Sequence, residues 1–306
     1  MQINEIHERE KRRVALTSLL AAIGITAFKI VIGLMTGSLG ILAEAAHSGL
    51  DLVAAAATFW SIQVAGRPAD SEHPYGHGKV ENLSALFQTF LLFFTCVWIG
   101  WEAVHRLLPH QAGKLEIEIT AWSFIVMFTS VVVDFSRSRA LSRVAKKHNS
   151  QALEADALHF QTDIWSSLAV IVGLALVWLG NKYGESMGFL KYADAIAALA
   201  VAVISVWVTW HLAIRTVLAL MDTAPPGLAE KIKLAVEALP EVQNCHNVRV
   251  RTSGPQIFVE VHVWVDGNQT LSKTHDQMDV IEQAICAIVP NADVTVHPEP
   301  KGAPSP

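Results

Sequence analysis

Leu39-Gly40-Ile41-Leu42-Ala43-Glu44-Ala45-Ala46-His47-Ser48-Gly49-Leu50-Asp51 opens a run that continues to Ala65 and whose only ionisable side chains are Glu44, His47 and Asp51. Crossing a hydrocarbon core of ~30 Å takes about 20 helical residues, so this run predicts a membrane-spanning helix. An ionisable group at mid-membrane costs roughly 2.5–3.5 kcal/mol or more unless compensated, so His47 and Asp51 call for a partner, a ligand or water. The same pattern returns at Ala155-Asp156-Ala157-Leu158-His159-Phe160-Gln161-Thr162-Asp163: Ala, acid, Ala, any residue, His, three residues, Asp. His and Asp four apart share one face of a helix. Two such helices facing each other offer His47, Asp51, His159 and Asp163, two nitrogens and two oxygens, a set that suits tetrahedral Zn²⁺.

Outward from these two helices, six apolar stretches are long enough to span: Val14–Gly37, Leu39–Ala65, Leu83–Leu108, Ile117–Arg137, Ala152–Leu179 and Tyr192–Met221. The whole chain of 306 residues is 52% hydrophobic and 17% charged, too apolar for a water-facing surface throughout. Three cysteines, Cys96, Cys245 and Cys286, cannot make a disulfide framework, and a net charge of −5 argues against nucleic acid as a partner. Lys and Arg concentrate in the N-terminal tail (Arg9, Lys11, Arg12, Arg13), the second loop (Arg67, Lys79) and the fourth loop (Arg137, Arg139, Arg143, Lys146, Lys147). The opposite loops hold only Arg106, Lys114, Lys182 and Lys191. Both termini are therefore expected in the cytoplasm. Within their segments the two His/Asp pairs lie roughly 7 to 12 residues from the start, about 10–18 Å deep, so both reach the middle of the bilayer. The nonapeptide repeated in oppositely directed helices hints at an inverted three-plus-three repeat.

Past Met221, Ala224-Pro225-Pro226-Gly227 reads as a linker to a second domain. Helices are expected over Leu228–Leu239 and Ser272–Ile288. Strands are expected near Val248–Arg251, over Ile257–Val265, where Val259, Val261, Val263 and Val265 alternate with polar or aromatic residues, and over Asp293–His297. The fold expected is a membrane all-α domain of six transmembrane helices, residues 1–222, followed by an α+β, ferredoxin-like, metallochaperone-like cytoplasmic domain, residues 223–298, and a disordered tail, residues 299–306.

Thirteen histidines are the compositional anomaly. Besides the helical quartet, Asp70, His73 and His77 cluster in the loop Asp70-Ser71-Glu72-His73-Pro74-Tyr75-Gly76-His77-Gly78-Lys79-Val80-Glu81 as a three-ligand, exchangeable metal site. In the second domain His246, His262, His275 and His297 stand on four elements, with Glu299 two residues past the last. Lys29, Glu44 and Asp156 share the segments of the quartet without an assigned role, and Asp134 and Glu102 read as interhelical or interfacial groups. Other classes find less support. A zinc hydrolase needs a His-Glu-xx-His helix, a serine protease Gly-x-Ser-x-Gly and a nucleotide-driven pump Gly-xxxx-Gly-Lys-Ser/Thr, and none of the three is present. A passive divalent-metal channel or importer stays open as an alternative.

The paired His-xxx-Asp helices, the His-Pro-Tyr-Gly-His-Gly-Lys loop and the six-segment-plus-tail layout resemble the cation diffusion facilitator family, most nearly its bacterial, YiiP-like zinc exporters. The resemblance implies a homodimer in the bacterial inner membrane that exports cytoplasmic Zn²⁺ in exchange for protons, with Cd²⁺, Co²⁺ or Fe²⁺ as further candidate substrates. It implies a transport site at His47, Asp51, His159 and Asp163, a loop site at Asp70, His73 and His77, and a regulatory cytoplasmic site at His246, His262, His275, His297 and Glu299. Lys79 and Asp222 match positions that form a charge interlock between the third and sixth helices. Two departures stand out: His47 replaces the Asp usual in that branch, favouring Zn²⁺, and Glu299 replaces an Asp.

Overall fold

The computed structural model describes residues 2–107, 121–183, 193–240, 242–290 and 292–302. Six long helices come first: α1 (Gln2–Thr36), α2 (Leu39–Ala65), α3 (Lys79–Leu107), α4 (Ala121–His148), α5 (Gln151–Tyr183) and α6 (Ala193–Leu220). Each falls on one of the expected segments, although α1, α3 and α4 run on past the apolar part into charged sequence. The expected start of the fourth segment at Ile117 lies outside the described residues. By length and hydropathy, α1, α2, α3 and α6 qualify as membrane spans among the described residues. α4 is less apolar because it carries several charges, of which Arg137 turns inward: it donates from Nε to Ser18 Oγ at 3.1 Å and stands 3.7 Å over the Phe160 ring. Large apolar side chains such as Leu34, Phe94, Trp98 and Phe128 instead point outward, as hydrocarbon as solvent requires.

Helix packing follows from tight turns at the helix ends. Gly37, at φ +66°, reverses the chain between α1 and α2, and Ser38 caps α2 by accepting from the Ile41 N–H. Asn149, at φ +50°, makes the two-residue link between α4 and α5. The main pairings are α1 with α2, α3 with α6 and α4 with α5, and α2 also meets α5. At one end of the bundle a polar knot ties three of these elements. Lys11 (1% exposed) bonds Glu81 (0% exposed) at 2.8 Å, and the Ser150 hydroxyl donates to the other oxygen of Glu81. Neither Lys11 nor Glu81 was legible as a buried pair, because 70 residues separate them and each sits in a charged flank.

The second domain follows as α7 (Leu228–Glu237), β1 (Asn244–Ser253), β2 (Gln256–Val265), α8 (Leu271–Ile288) and β3 (Asp293–Pro300). Strands lie in the order β1-β2-β3, with β1 and β2 antiparallel and β2 and β3 parallel across α8. The alternation in β2 puts Val259, Val261, Val263 and Val265 into one core with Ile232 and Val236 of α7 and Met278, Ile281 and Ile285 of α8. Among the described residues, both helices of this domain lie on that one face of the sheet. β1 is longer than expected and includes Cys245 and His246, which a central bulge between His246 and Arg249 had hidden from a period-two reading. β3 also overruns its expected end. Glu299 therefore belongs to a strand and is buried, not part of a tail, because its backbone pairs beside Trp264. Lys301 and Gly302 form a turn, and residues 303–306 of the expected disordered tail lie outside the described residues.

Candidate metal centres

His47 and His159 are each the ninth residue of their helix, about 12 Å along the axis. The structure brings the two pairs together. His159 Nε2 lies 2.8 Å from Asp51 Oδ1 and 3.6 Å from Asp163 Oδ2, while His47 Nε2 lies 4.0 Å from Asp51 and 3.9 Å from Asp163. One ligand atom each from His47, Asp51 and Asp163 fall within 4.8 Å of one another. Zinc bonds of 2.0–2.1 Å arranged as a tetrahedron put neighbouring ligand atoms about 3.4 Å apart, so these gaps bracket what a bound ion needs. Asp51 and His159 are buried. Lys29, buried on α1, donates to Glu44 Oε1 at 2.9 Å and to the hydroxyl of Ser48 at 2.7 Å, which ties α1 to the residue beside His47. Asp134 pairs with Arg137 one turn along α4, at 3.4 Å; the side chain of Glu102 lies outside the described residues.

In the loop between α2 and α3, Asp70 Oδ1 accepts from the backbone N–H groups of His73 (2.7 Å) and Glu72 (3.0 Å), closing a turn. These bonds, the His73 N–H first, hold the Asp70 carboxyl below the usual carboxylate range. His73 Nδ1 and His77 Nε2 lie 3.3 and 3.4 Å from the two oxygens of Asp70. The Nδ1 of His77 is buried without a hydrogen-bond partner. Gly76, at φ +76°, makes the reversal that returns His77 to Asp70. Ligand types and spacing fit one divalent cation.

A third cluster occupies the face of the small sheet opposite α7 and α8. His246 of β1 pairs with His262 of β2, which pairs with His297 of β3, so three histidines stand in a row across three strands. Glu299 reaches back to them: Oε1 lies 2.8 Å from His262 Nδ1 and 3.7 Å from His297 Nε2, and Oε2 lies 3.2 Å from His246 Nε2. The His262 hydrogen bond leads the effects that hold Glu299 below the usual carboxylate range. His275 is not part of this group. It is exposed on α8, which packs on the other face of the sheet, so a single protomer cannot bring it to His262.

The chain matches two family profiles that between them cover most of its length. The cation efflux transmembrane domain matches residues 15–221, and the cation efflux protein cytoplasmic domain matches residues 224–301. The chain belongs to the cation diffusion facilitator family. Among curated relatives, it is 33% identical to an uncharacterized transporter, sll1263, of Synechocystis sp. over 95% of this chain and 91% of that one. It is 32% identical to the cation-efflux pump FieF of Cronobacter sakazakii over 97% and 95%. The metal-bound C-terminal domain of the CzcD transporter from Thermotoga maritima is 30% identical over 26% of this chain and 92% of that domain, with a TM-score of 0.24.

As a cation diffusion facilitator the protein is a membrane-embedded transporter for the efflux of metal cations. Two further residue groups bear on it. Lys79 Nζ lies 2.9 Å from Asp222 Oδ1 and so joins the start of α3 to the end of α6. Less expected from sequence is the contact between the two domains. Asn82, buried in α3, accepts from the Gly254 N–H at the β1–β2 turn (2.9 Å) and donates to Gln151 Oε1 (2.9 Å). The turn fits against Gly78 so closely that any side chain there would collide with Ser253. Arg251 stacks on Tyr75 and on Phe258, which meet edge to face. Only the Gly-rich character of Gly76-His77-Gly78 foreshadowed a close backbone approach here.

Proposed function

We propose that this transporter exports Zn²⁺ from the cytoplasm in exchange for protons. The reading rests on the hydrogen bond of 2.8 Å between His159 Nε2 and Asp51 Oδ1. One proton is held between two atoms that a cation needs. Coordination takes a neutral imidazole with a free lone pair and an ionised carboxylate, so a cation that uses His159 Nε2 and Asp51 displaces that proton. On the opposite side of the membrane, an acidic medium returns it and releases the cation. Two imidazoles and two carboxylates neutralise a divalent ion, which lowers the cost of carrying it through hydrocarbon. The mixed nitrogen and oxygen set in a tetrahedral array suits Zn²⁺, with Cd²⁺ and Co²⁺ as chemical competitors and Fe²⁺ disfavoured by His47.

In this reading His47, Asp51, His159 and Asp163 carry the substrate, and Asp70, His73 and His77 hold a second, exchangeable ion. His246, His262, His297 and Glu299 bind a regulatory ion. The protein works as a homodimer in the bacterial inner membrane with both termini in the cytoplasm, where the last site samples metal supply.

The test is zinc flux into proteoliposomes under an imposed pH gradient, for the natural chain and Asp51→Asn. Flux that follows the gradient and collapses in the variant is expected. Flux indifferent to the gradient would make the protein a passive channel, and zinc binding without flux would overturn export altogether.

A further inference from the structure

We propose that the cleft between α4 and α5 binds an anionic phospholipid of the cytoplasmic leaflet. The cleft is an open groove of about 520 Å³, and its α4 wall carries Arg139, Arg143 and Lys146, spaced four and three apart on one helix face. All three are exposed, no acidic residue lines the cleft, and none of the three has an ion-pair partner among the described residues. Their neighbour Lys147, facing elsewhere, is paired with Glu10 at 2.6 Å. Below the cations, away from the α4–α5 turn, the lining turns apolar with Phe135 of α4 and Ile164 and Trp165 of α5. Phe135 to Lys146 covers about 16 Å of helix, enough for a headgroup and the first part of an acyl chain.

Three features together select the occupant. Guanidinium groups fork onto phosphate oxygens, giving short charge-assisted bonds. The apolar end formed by Phe135, Ile164 and Trp165 favours a phosphate that carries a hydrocarbon chain over a free phosphate ion. A row of three cations repels a divalent metal, so the cleft is not a route to the transport quartet. A lipid seated here rests on the side of α5 that carries Ile164 and Trp165, while His159 and Asp163 of the same helix meet α2. Occupancy would brace α5 and so tune transport. Assignment to the cytoplasmic leaflet rests on the orientation proposed above; the cleft and its charge do not.

Full-length protein is delipidated in a neutral detergent, supplied with phosphatidylglycerol or phosphatidylcholine, and read by native mass spectrometry. The natural chain is expected to retain one phosphatidylglycerol per protomer in preference to phosphatidylcholine, and excess inorganic phosphate should not displace it. The R139Q/R143Q/K146Q variant should weaken retention by on the order of a hundredfold, each cation near an anionic surface counting for about tenfold or somewhat less. R12Q/R13Q/R67Q, with the same loss of charge elsewhere, should retain the lipid. If the triple variant does not fold, R143Q alone is read the same way and should show a several-fold loss. Equal retention in the cleft variant, equal loss in the control variant, or displacement by free phosphate would each overturn the proposal. Zinc flux in the same variant separates the two readings, since export can persist without the lipid site and the lipid can bind without export.

Discussion

At the scale of single residues, the proposed exchange of cation for proton turns on one hydrogen bond. His159 is bonded to Asp51 rather than to its own helical partner Asp163, so the bond links α2 to α5. His159→Gln preserves a donor to Asp51 but removes the imidazole nitrogen proposed to bind the cation. Its zinc affinity at the membrane site should fall at least about tenfold to hundredfold, given that loss of even an outer partner of a metal ligand has that effect. Calorimetry in buffers of differing ionisation enthalpy should show fewer protons released per zinc bound in this variant. Asp70 and Glu299 make a separate prediction in acid. Both carboxyls are held below their ordinary values, by backbone N–H groups and by His262 respectively, so their contribution to stability is present above the unfolded values and is lost as pH falls through the folded ones. In the presence of chelator the unfolding temperature should hold down to about pH 4 and decline below it. The double variant Asp70→Asn/Glu299→Gln should show a shallower decline.

At the scale of elements, α1, α3 and the α4–α5 turn are joined by charge, not by apolar contact alone. Lys11 also reaches Glu8 at 2.5 Å, one turn away, which softens the loss if Glu81 is removed. Breaking a buried pair from one side usually costs about 3–5 kcal/mol because the other charge is stranded. Glu81→Leu should therefore lower the thermal midpoint clearly, by somewhat less than that range implies. Lys11→Met/Glu81→Leu should recover most of the loss, a cycle that thermal unfolding in detergent can close. The sheet follows a different rule. Its three histidines align only because strand register places position 246 against 262 and 262 against 297, and a slip of one residue would turn the histidines of one strand into the valine core.

At the scale of the whole molecule, the loop between α2 and α3 and the second domain share one contact surface. Asn82 bonds Gly254, Gly78 abuts Ser253, and Tyr75, between His73 and His77, stacks under Arg251. A change in the small domain is thus applied directly to the start of α3. Asn82→Ala removes its bond to Gly254 across this junction and its bond to Gln151 of α5 within the helical domain, and a buried partner left unsatisfied costs about 1–3 kcal/mol. The variant should keep zinc binding in both domains and lose the dependence of transport rate on cytoplasmic zinc. His262→Ala should lose the same dependence by failing to bind, and zinc titration of flux beside calorimetry distinguishes the two. Dependence retained in both variants would show that the small domain does not regulate transport.

Hydropathy, the nonapeptide repeated at 43–51 and 155–163, and the alternating valines of β2 were enough to determine six long helices and a small α+β domain, and to single out the four side chains His47, Asp51, His159 and Asp163 that the structure places close together. These are local properties: the spacing of residues along a helix or strand decides which side chains share a face, and the length of an apolar run decides whether it can span a bilayer. Strand pairing, not spacing, gathered His246, His262, His297 and Glu299 and left His275 on α8, and it drew Glu299 out of the expected tail. The buried Lys11–Glu81 pair, the seat of Gly254 on Asn82 and the basic cleft beside α5 likewise belong to tertiary structure alone. Each depends on distance and solvent exclusion between segments far apart in the chain, and no periodicity within one segment carries that information.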